Sequence, residues 1–133
     1  MDRFASRVYT IAGVYGLIAM LPQYLLEERI GRDYPPPITH PEYFYGFIGI
    51  VVVWQLAFLV IARDPVRFRP LMPVTVLEKL AFAIPVAILY AQGRVSTTTL
   101  LFAGIDLVLG ALFLASYRRV AGVEATSAAG RVA

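Results

Sequence analysis

Three ionisable residues lie inside long apolar stretches of this sequence, where charged side chains are rare and are the first candidates for a functional site. Glu78 and Lys79 are neighbours, and Asp106 lies near the centre of a later apolar stretch. Intramembrane carboxylates either pair with other polar groups and hold helices together, or they carry protons and cations. The residue types therefore leave both a structural and a transport role open for Asp106 and Glu78.

Two glutamines, Gln23 and Gln55, complete the polar candidates within the apolar stretches. Small residues recur at helical spacing beside two of these polar positions, in the sets Gly13, Gly16, Ala19 with Gln23, and Ala103, Gly110 with Asp106. Small side chains let helix backbones approach, and a polar side chain on the same stripe can form a hydrogen bond across the contact. We expect Gln23 and Gln55 to link neighbouring helices, and Asp106 to face the protein interior.

The adjacent positions of Glu78 and Lys79 predict different surroundings for the two side chains. Neighbouring residues point about 100° apart around a helix, so both cannot face the same contact. We expect the long Lys79 side chain to extend toward the nearer headgroups. Glu78 is expected to share a buried face with Thr75, Ala81 and Pro85.

Position along the helices predicts that the polar groups lie at three depths. Asp106 is expected near mid-membrane, Gln23 nearer the outer surface, and Glu78 with Gln55 nearer the inner one. The apolar stretch around Asp106 holds ten Leu, Ile, Val and Phe residues. Together they favour insertion by roughly 3 to 6 kcal/mol, against a cost of about 3 kcal/mol for a central aspartate. The stretch therefore inserts with Asp106 in place.

The sequence holds no pattern that predicts a catalytic, metal or cofactor site. It has no cysteine, which excludes disulfides and thiolate ligands, and its one histidine, His40, has only Glu42 beside it. A zinc site needs three or four protein ligands. We therefore expect no catalytic residues, no metal and no cofactor.

The composition is that of a membrane protein. Hydrophobic residues make up 59% of the 133-residue chain and charged residues only 16%, and the mean hydropathy is +0.68. A typical soluble domain has roughly 25% charged residues. The net charge of +3 comes from arginines placed between apolar stretches, without a basic face. We expect the lipid bilayer as the main partner and no binding to nucleic acid.

Four apolar stretches are long enough to cross a bilayer, which requires about 20 residues per helix. They cover residues 8–26, 43–62, 71–92 and 97–117. Continuous apolar stretches without alternation predict an all-α protein, and we interpret the first stretch as a retained helix. Residues 1–119 are expected to form a single four-span domain, followed by a flexible C-terminal tail at 120–133.

The connections predict an up-down-up-down four-helix transmembrane bundle. Three consecutive prolines in the connection 27–42 exclude helix there, and the connection 93–96 is short enough to make the last two spans an antiparallel hairpin. Seven arginines near the span ends fall on one side and three on the other. Since positive charge marks cytoplasmic connections, both termini are expected in the cytoplasm. The expected location is a bacterial cytoplasmic membrane.

The four-span layout and one segment resemble the DoxX-like superfamily of small bacterial membrane proteins. The segment is Gly104-Ile105-Asp106-Leu107 followed by Gly110-Ala111-Leu112-Phe113-Leu114. The glycine-rich first helix and following lysine associated with that group are missing, and Arg29 is the nearest basic residue to that position. The resemblance implies a redox-linked accessory protein or an uncharacterised membrane component, and it transfers no site residues.

Three functional hypotheses follow from these observations. The first is a non-catalytic accessory protein or binding component for a small apolar ligand, since the short connections leave little room for a soluble active site. The second is a transporter subunit that uses Asp106 and Glu78 for protons or cations. The third is an intramembrane enzyme acting on an apolar substrate. The transporter requires a homo-oligomer, because four short helices rarely enclose a pathway, whereas the accessory protein predicts a larger membrane complex.

Overall fold

All regular structure in residues 2–132 is helical. This computed structural model describes those residues, and of residues 124, 128, 129, 131 and 132 it describes the backbone alone. The helices are α1 (Arg3–Met20), α2 (Glu27–Asp33), α3 (Pro41–Arg63), α4 (Met72–Ala91) and α5 (Thr97–Val132). Short 3₁₀ helices cover Leu21–Leu25 and Arg69–Leu71.

Four of the helical segments are long and apolar enough to cross a membrane, which confirms the predicted fold class. The segments are Arg3–Leu25, Pro41–Arg63, Arg69–Ala91 and Thr97–Ser127. Large apolar side chains point outward along them, for example Ile11, Ile50 and Leu101. Such an exterior is stable in lipid and would be exceptional in water. The protein is therefore a small multi-pass membrane protein, and its orientation remains a prediction.

Local sequence signals explain where α1, α4 and α5 begin or end. Asp2 caps α1, since its Oδ1 accepts hydrogen bonds from the backbone N–H of Phe4 and of Ala5. Ser96 caps α5 by accepting from the N–H of Thr99. Gly93 ends α4 at φ +69°, and the N–H of Gly93 bonds to the Tyr90 carbonyl while that of Arg94 bonds to the Leu89 carbonyl. This pair of bonds is a Schellman motif, which requires a left-handed residue.

The structure contains helix in the first connection and at the C-terminus that the sequence did not predict. Residues 27–33 form α2, while residues 34–40, with the three prolines, contain no helix or strand. The predicted tail at 120–133 continues α5 as helix through Val132, and Val120 is buried. Alanine-rich sequence favours helix even where few large side chains can pack.

The chain divides into two compact units. One comprises residues 1–9 and 61–133, and its core is built where α4 and α5 pack as an antiparallel hairpin. The other comprises residues 10–60, with the remainder of α1, α2 and most of α3. The predicted pairing of the last two spans is therefore confirmed, and the hairpin positions the ionisable residues.

Candidate functional site

The packed face of α4 carries Lys79, the only lysine in the chain. Residues spaced three and four apart form this face, as expected for one side of a helix. Its buried members are Met72, Thr75, Lys79, Ala83 and Val86. Toward the α4–α5 connection the contact is apolar, since Ala83 and Val86 pack with Ala103 and with the partly buried Phe82 and Leu100.

Lys79 brings the two intramembrane carboxylates together. Its Nζ lies 3.2 Å from Glu78 Oε2 and 3.2 Å from Asp106 Oδ1. The Lys79 side chain is only 5% exposed, and those of Glu78 and Asp106 are 14% and 16% exposed. We call Glu78, Lys79 and Asp106 the ionic cluster. It joins two neighbouring residues of α4 to one residue of α5.

Two sequence-based expectations about these residues are wrong. Lys79 does not extend away from the protein, because its side chain is buried beside two carboxylates. The stripe predicted for Glu78 is not the packed face, because Ala81 and Pro85 are exposed, although Thr75 is buried and the Glu78 side chain is only 14% exposed. Glu78 and Asp106 contact the same ammonium group, and their depths in the bilayer stay a prediction.

The expectation that Asp106 lies on a close helix contact agrees with the structure. Ala103 is buried, and a Cβ placed on Gly110 would lie 3.4 Å from Lys79 Cβ. The small residues therefore let the Lys79 stem pass directly against α5. Glu78 Oε2 is buried and lies in ion-pair contact with Lys79 Nζ.

A second polar contact, one helical turn from Lys79, had no signal in the sequence. The hydroxyl of buried Tyr9 lies 2.7 Å from Thr75 Oγ1, and Thr75 donates in turn to the Met72 carbonyl at 2.8 Å. The Tyr9 ring stacks on Phe113 with 4.3 Å between ring centroids. Tyrosine is common in membrane helices, so its type and spacing alone could not predict this contact.

The two glutamines behave differently from the prediction. Gln55 is buried, but its Nε2 donates to the Val51 carbonyl of its own helix at 3.0 Å. Gln23 Nε2 likewise donates to the Ala19 carbonyl, 3.2 Å away. An amide that bonds to a carbonyl four residues earlier uses an N–H group within its own helical segment. The observed hydrogen bonds are therefore within the same helical segment.

The small residues along one side of α1 do lie at a close helix contact. A Cβ on Gly13 would lie 2.8 Å from Leu59 Cδ2 and 2.9 Å from the Gln55 carbonyl oxygen. A Cβ on Gly16 would overlap the Gln55 side-chain amide. Gln55 therefore fills the space that these glycines leave, and its role is packing against α1.

An apolar groove runs along the outside of the α4–α5 hairpin. Its volume is about 240 Å³, and its lining residues are Pro73, Val76, Leu77, Leu114 and Tyr117. We call it the hairpin groove. It is built from side chains other than those of the ionic cluster. At one of its ends the Arg69 guanidinium stacks over the Tyr117 ring, with 4.5 Å from Cζ to the ring centroid.

Comparisons of the chain with protein-family models, with curated proteins and with solved structures returned no match. The geometry of the α4–α5 hairpin is therefore the basis on which a function is inferred.

Proposed function

We propose that this protein is a non-catalytic component of the membrane that binds a small apolar ligand in the hairpin groove. The observation that carries the proposal is the groove itself, lined only by aliphatic side chains, a proline and an aromatic ring. Leu77 is 63% and Leu114 is 39% exposed, so a ligand can enter from the surrounding lipid.

The size of the groove favours a linear hydrocarbon chain. Pockets that enclose drug-sized molecules and cofactors have volumes of roughly 300 to 1,000 Å³, whereas the hairpin groove measures about 240 Å³. Its α4 residues are Pro73, Val76 and Leu77, spaced along about one helical turn. An apolar surface of this size accommodates a segment of an acyl or prenyl chain better than a ring system.

The ionic cluster has a structural role in this proposal. Its one cation and two carboxylates contact each other, and α4 carries no polar side chain between Lys79 and Tyr90. Likewise, α5 carries none between Thr99 and Asp106. A proton relay needs polar groups or water along its path, so the sequence of the hairpin beyond the cluster favours a clamp between α4 and α5 over transport.

The arginine distribution and the layout supply the remaining parts of the proposal. The protein is placed in a bacterial cytoplasmic membrane with both termini inside, on the seven-to-three arginine count. Membership of the DoxX-like superfamily is proposed on the α5 segment quoted above. Assembly into a homo-oligomer or a larger membrane complex is compatible with the exposed apolar faces of the four long helices.

Lipid retention by groove variants tests the proposal. The full chain, purified in mild detergent, is equilibrated with phosphatidylcholine, and lipid adducts are counted by native mass spectrometry. Leu77→Trp fills the groove and is expected to remove the adduct, while Leu101→Trp, at an equally exposed leucine outside the groove, retains it. Equal retention by both variants would overturn the proposal.

Asp106→Asn separates the binding role from a proton relay. The variant keeps the shape of the side chain and removes its titration. Lipid retention is expected to be unchanged, because Asp106 does not line the groove. Proton uptake into vesicles that depends on wild-type protein and is lost in Asp106→Asn would favour the transporter instead.

A further inference from the structure

We propose that the ligand of the hairpin groove is an anionic phospholipid, with its phosphate bound at Arg69 and one acyl chain lying in the groove. This inference rests on the proposed function and adds the chemical class of the ligand. It is carried by the juxtaposition of a guanidinium group and an apolar groove that share the Tyr117 ring.

An apolar groove alone is a weak basis for selecting a ligand inside a membrane. Lipid tails are as apolar as the leucines that line it, so the hydrophobic effect gives no preference for the groove over bulk lipid. A lipid is held at one place only if its headgroup makes an additional polar contact. The end of the groove nearest Tyr117 supplies a cationic group for that contact.

Arg69 has the position and the geometry for a phosphate. It precedes Pro73, the first groove residue of α4, by one helical turn, and it lies about 12 Å along the helix from Leu77. A guanidinium stacks through its face and donates hydrogen bonds from its edge. Stacking on Tyr117 is therefore compatible with a phosphate contact, and it fixes the direction in which the guanidinium N–H groups point.

The surroundings of Arg69 distinguish it from Arg94. Arg69 is half-buried, so its attraction to a phosphate is less screened by salt than that of an exposed arginine. Arg94, beyond the other end of α4, is exposed and donates to Gln92. A general attraction of arginines to an anionic membrane involves both residues, whereas the proposed site involves Arg69 alone.

A competition between two lipids with the same acyl chains tests this inference. The full chain in mild detergent is equilibrated with equal amounts of phosphatidylglycerol and phosphatidylcholine, and both adducts are counted by native mass spectrometry. One basic residue near an anionic lipid is expected to give a preference of about fivefold for phosphatidylglycerol. Arg69→Lys should keep most of this preference, Arg69→Gln should abolish it, and Arg94→Gln should leave it unchanged.

Each outcome has a separate meaning. A preference that survives Arg69→Gln, or that falls as much in Arg94→Gln, overturns the anionic site. If wild-type protein binds both lipids equally and Leu77→Trp still removes them, this inference fails and the proposed function stands. If Leu77→Trp removes neither lipid, the proposed function fails as well.

A second measurement covers the case in which Arg69→Gln does not fold. Wild-type protein is cross-linked with phosphatidylglycerol that carries a photoreactive headgroup, and the labelled peptides are identified. The label is expected on the peptide that contains Arg69. Labelling confined to other arginine-containing peptides would contradict the proposal.

Discussion

At the scale of single residues, Lys79 is the most consequential side chain of the protein. It is buried between two carboxylates, and removal of one member of a buried ion pair leaves a charge without compensation. We expect Lys79→Met to destabilise the protein by about 3 to 5 kcal/mol, measured by thermal unfolding in mild detergent. Arg94→Gln, which removes an exposed cation, is the control and should have almost no effect.

The triple variant Lys79→Met, Glu78→Gln, Asp106→Asn separates lost charge compensation from lost packing. It removes all three charges and is expected to recover most of the stability that Lys79→Met loses, because replacing a whole buried ionic group is often close to neutral. A triple variant no more stable than Lys79→Met would contradict the account of Lys79 as the cation that compensates the buried carboxylates.

The members of the ionic cluster could be predicted from the sequence, but their contacts only in part. Asp106, Glu78 and Lys79 were identified as candidates from charge within apolar sequence, and the small residues around Asp106 predicted a close contact. The angle between neighbouring residues excluded a shared contact for Glu78 and Lys79. The 100° angle separates the Cβ directions of the two residues, but the end of the flexible Lys79 side chain can still reach Glu78. The ion pair between Lys79 and Glu78 could therefore not be predicted.

At the scale of the elements, the glycines of α1 determine how closely α3 can approach. A Cβ at Gly13 would be 2.9 Å from a backbone oxygen of Gln55, which cannot move as a side chain can. We expect Gly13→Ala to lower the free energy of unfolding by about 1 to 3 kcal/mol, as for other overpacked contacts. Thermal unfolding in the same detergent measures it.

Gly46→Ala on α3 is the matched control, because no atom lies within 4 Å of the added Cβ. Alanine favours helix over glycine by about 0.5 to 1 kcal/mol, so this variant should be neutral or slightly more stable. A Gly13→Ala variant as stable as Gly46→Ala would mean that the helices are not in contact at Gly13.

The helices themselves were predictable and their contacts only partly so. Span length and apolar content fix which segments cross a membrane, and the short 93–96 connection fixes the α4–α5 pairing. The buried face of α4 was assigned to the wrong stripe, because two stripes, one through Glu78 and one through Lys79, fit the helical period. The hairpin groove depends on the side chains of two helices together, and no single-helix pattern contains it.

At the scale of the whole molecule, the orientation predicted from charge is open to a direct test. The chain has no cysteine, so a single introduced cysteine is the only residue that a thiol reagent can label. If both termini lie in the cytoplasm, Thr39 lies outside the cell and Val66 lies in the cytoplasm. An impermeant thiol reagent applied to intact cells should label Thr39→Cys and leave Val66→Cys unlabelled until the cells are opened; the reverse pattern would invert the predicted topology.

The most direct test of the proposed function is the position at which a bound acyl chain contacts the protein. Phospholipid with a photoreactive group in its acyl chain is incorporated into vesicles with the wild-type protein, and labelled residues are mapped by mass spectrometry. Leu77 and Leu101 are 63% and 65% exposed, so random contact with lipid labels them equally. Binding in the hairpin groove predicts strong labelling at Leu77 and Leu114 and weak labelling at Leu101, whereas equal labelling of Leu77 and Leu101 would contradict it.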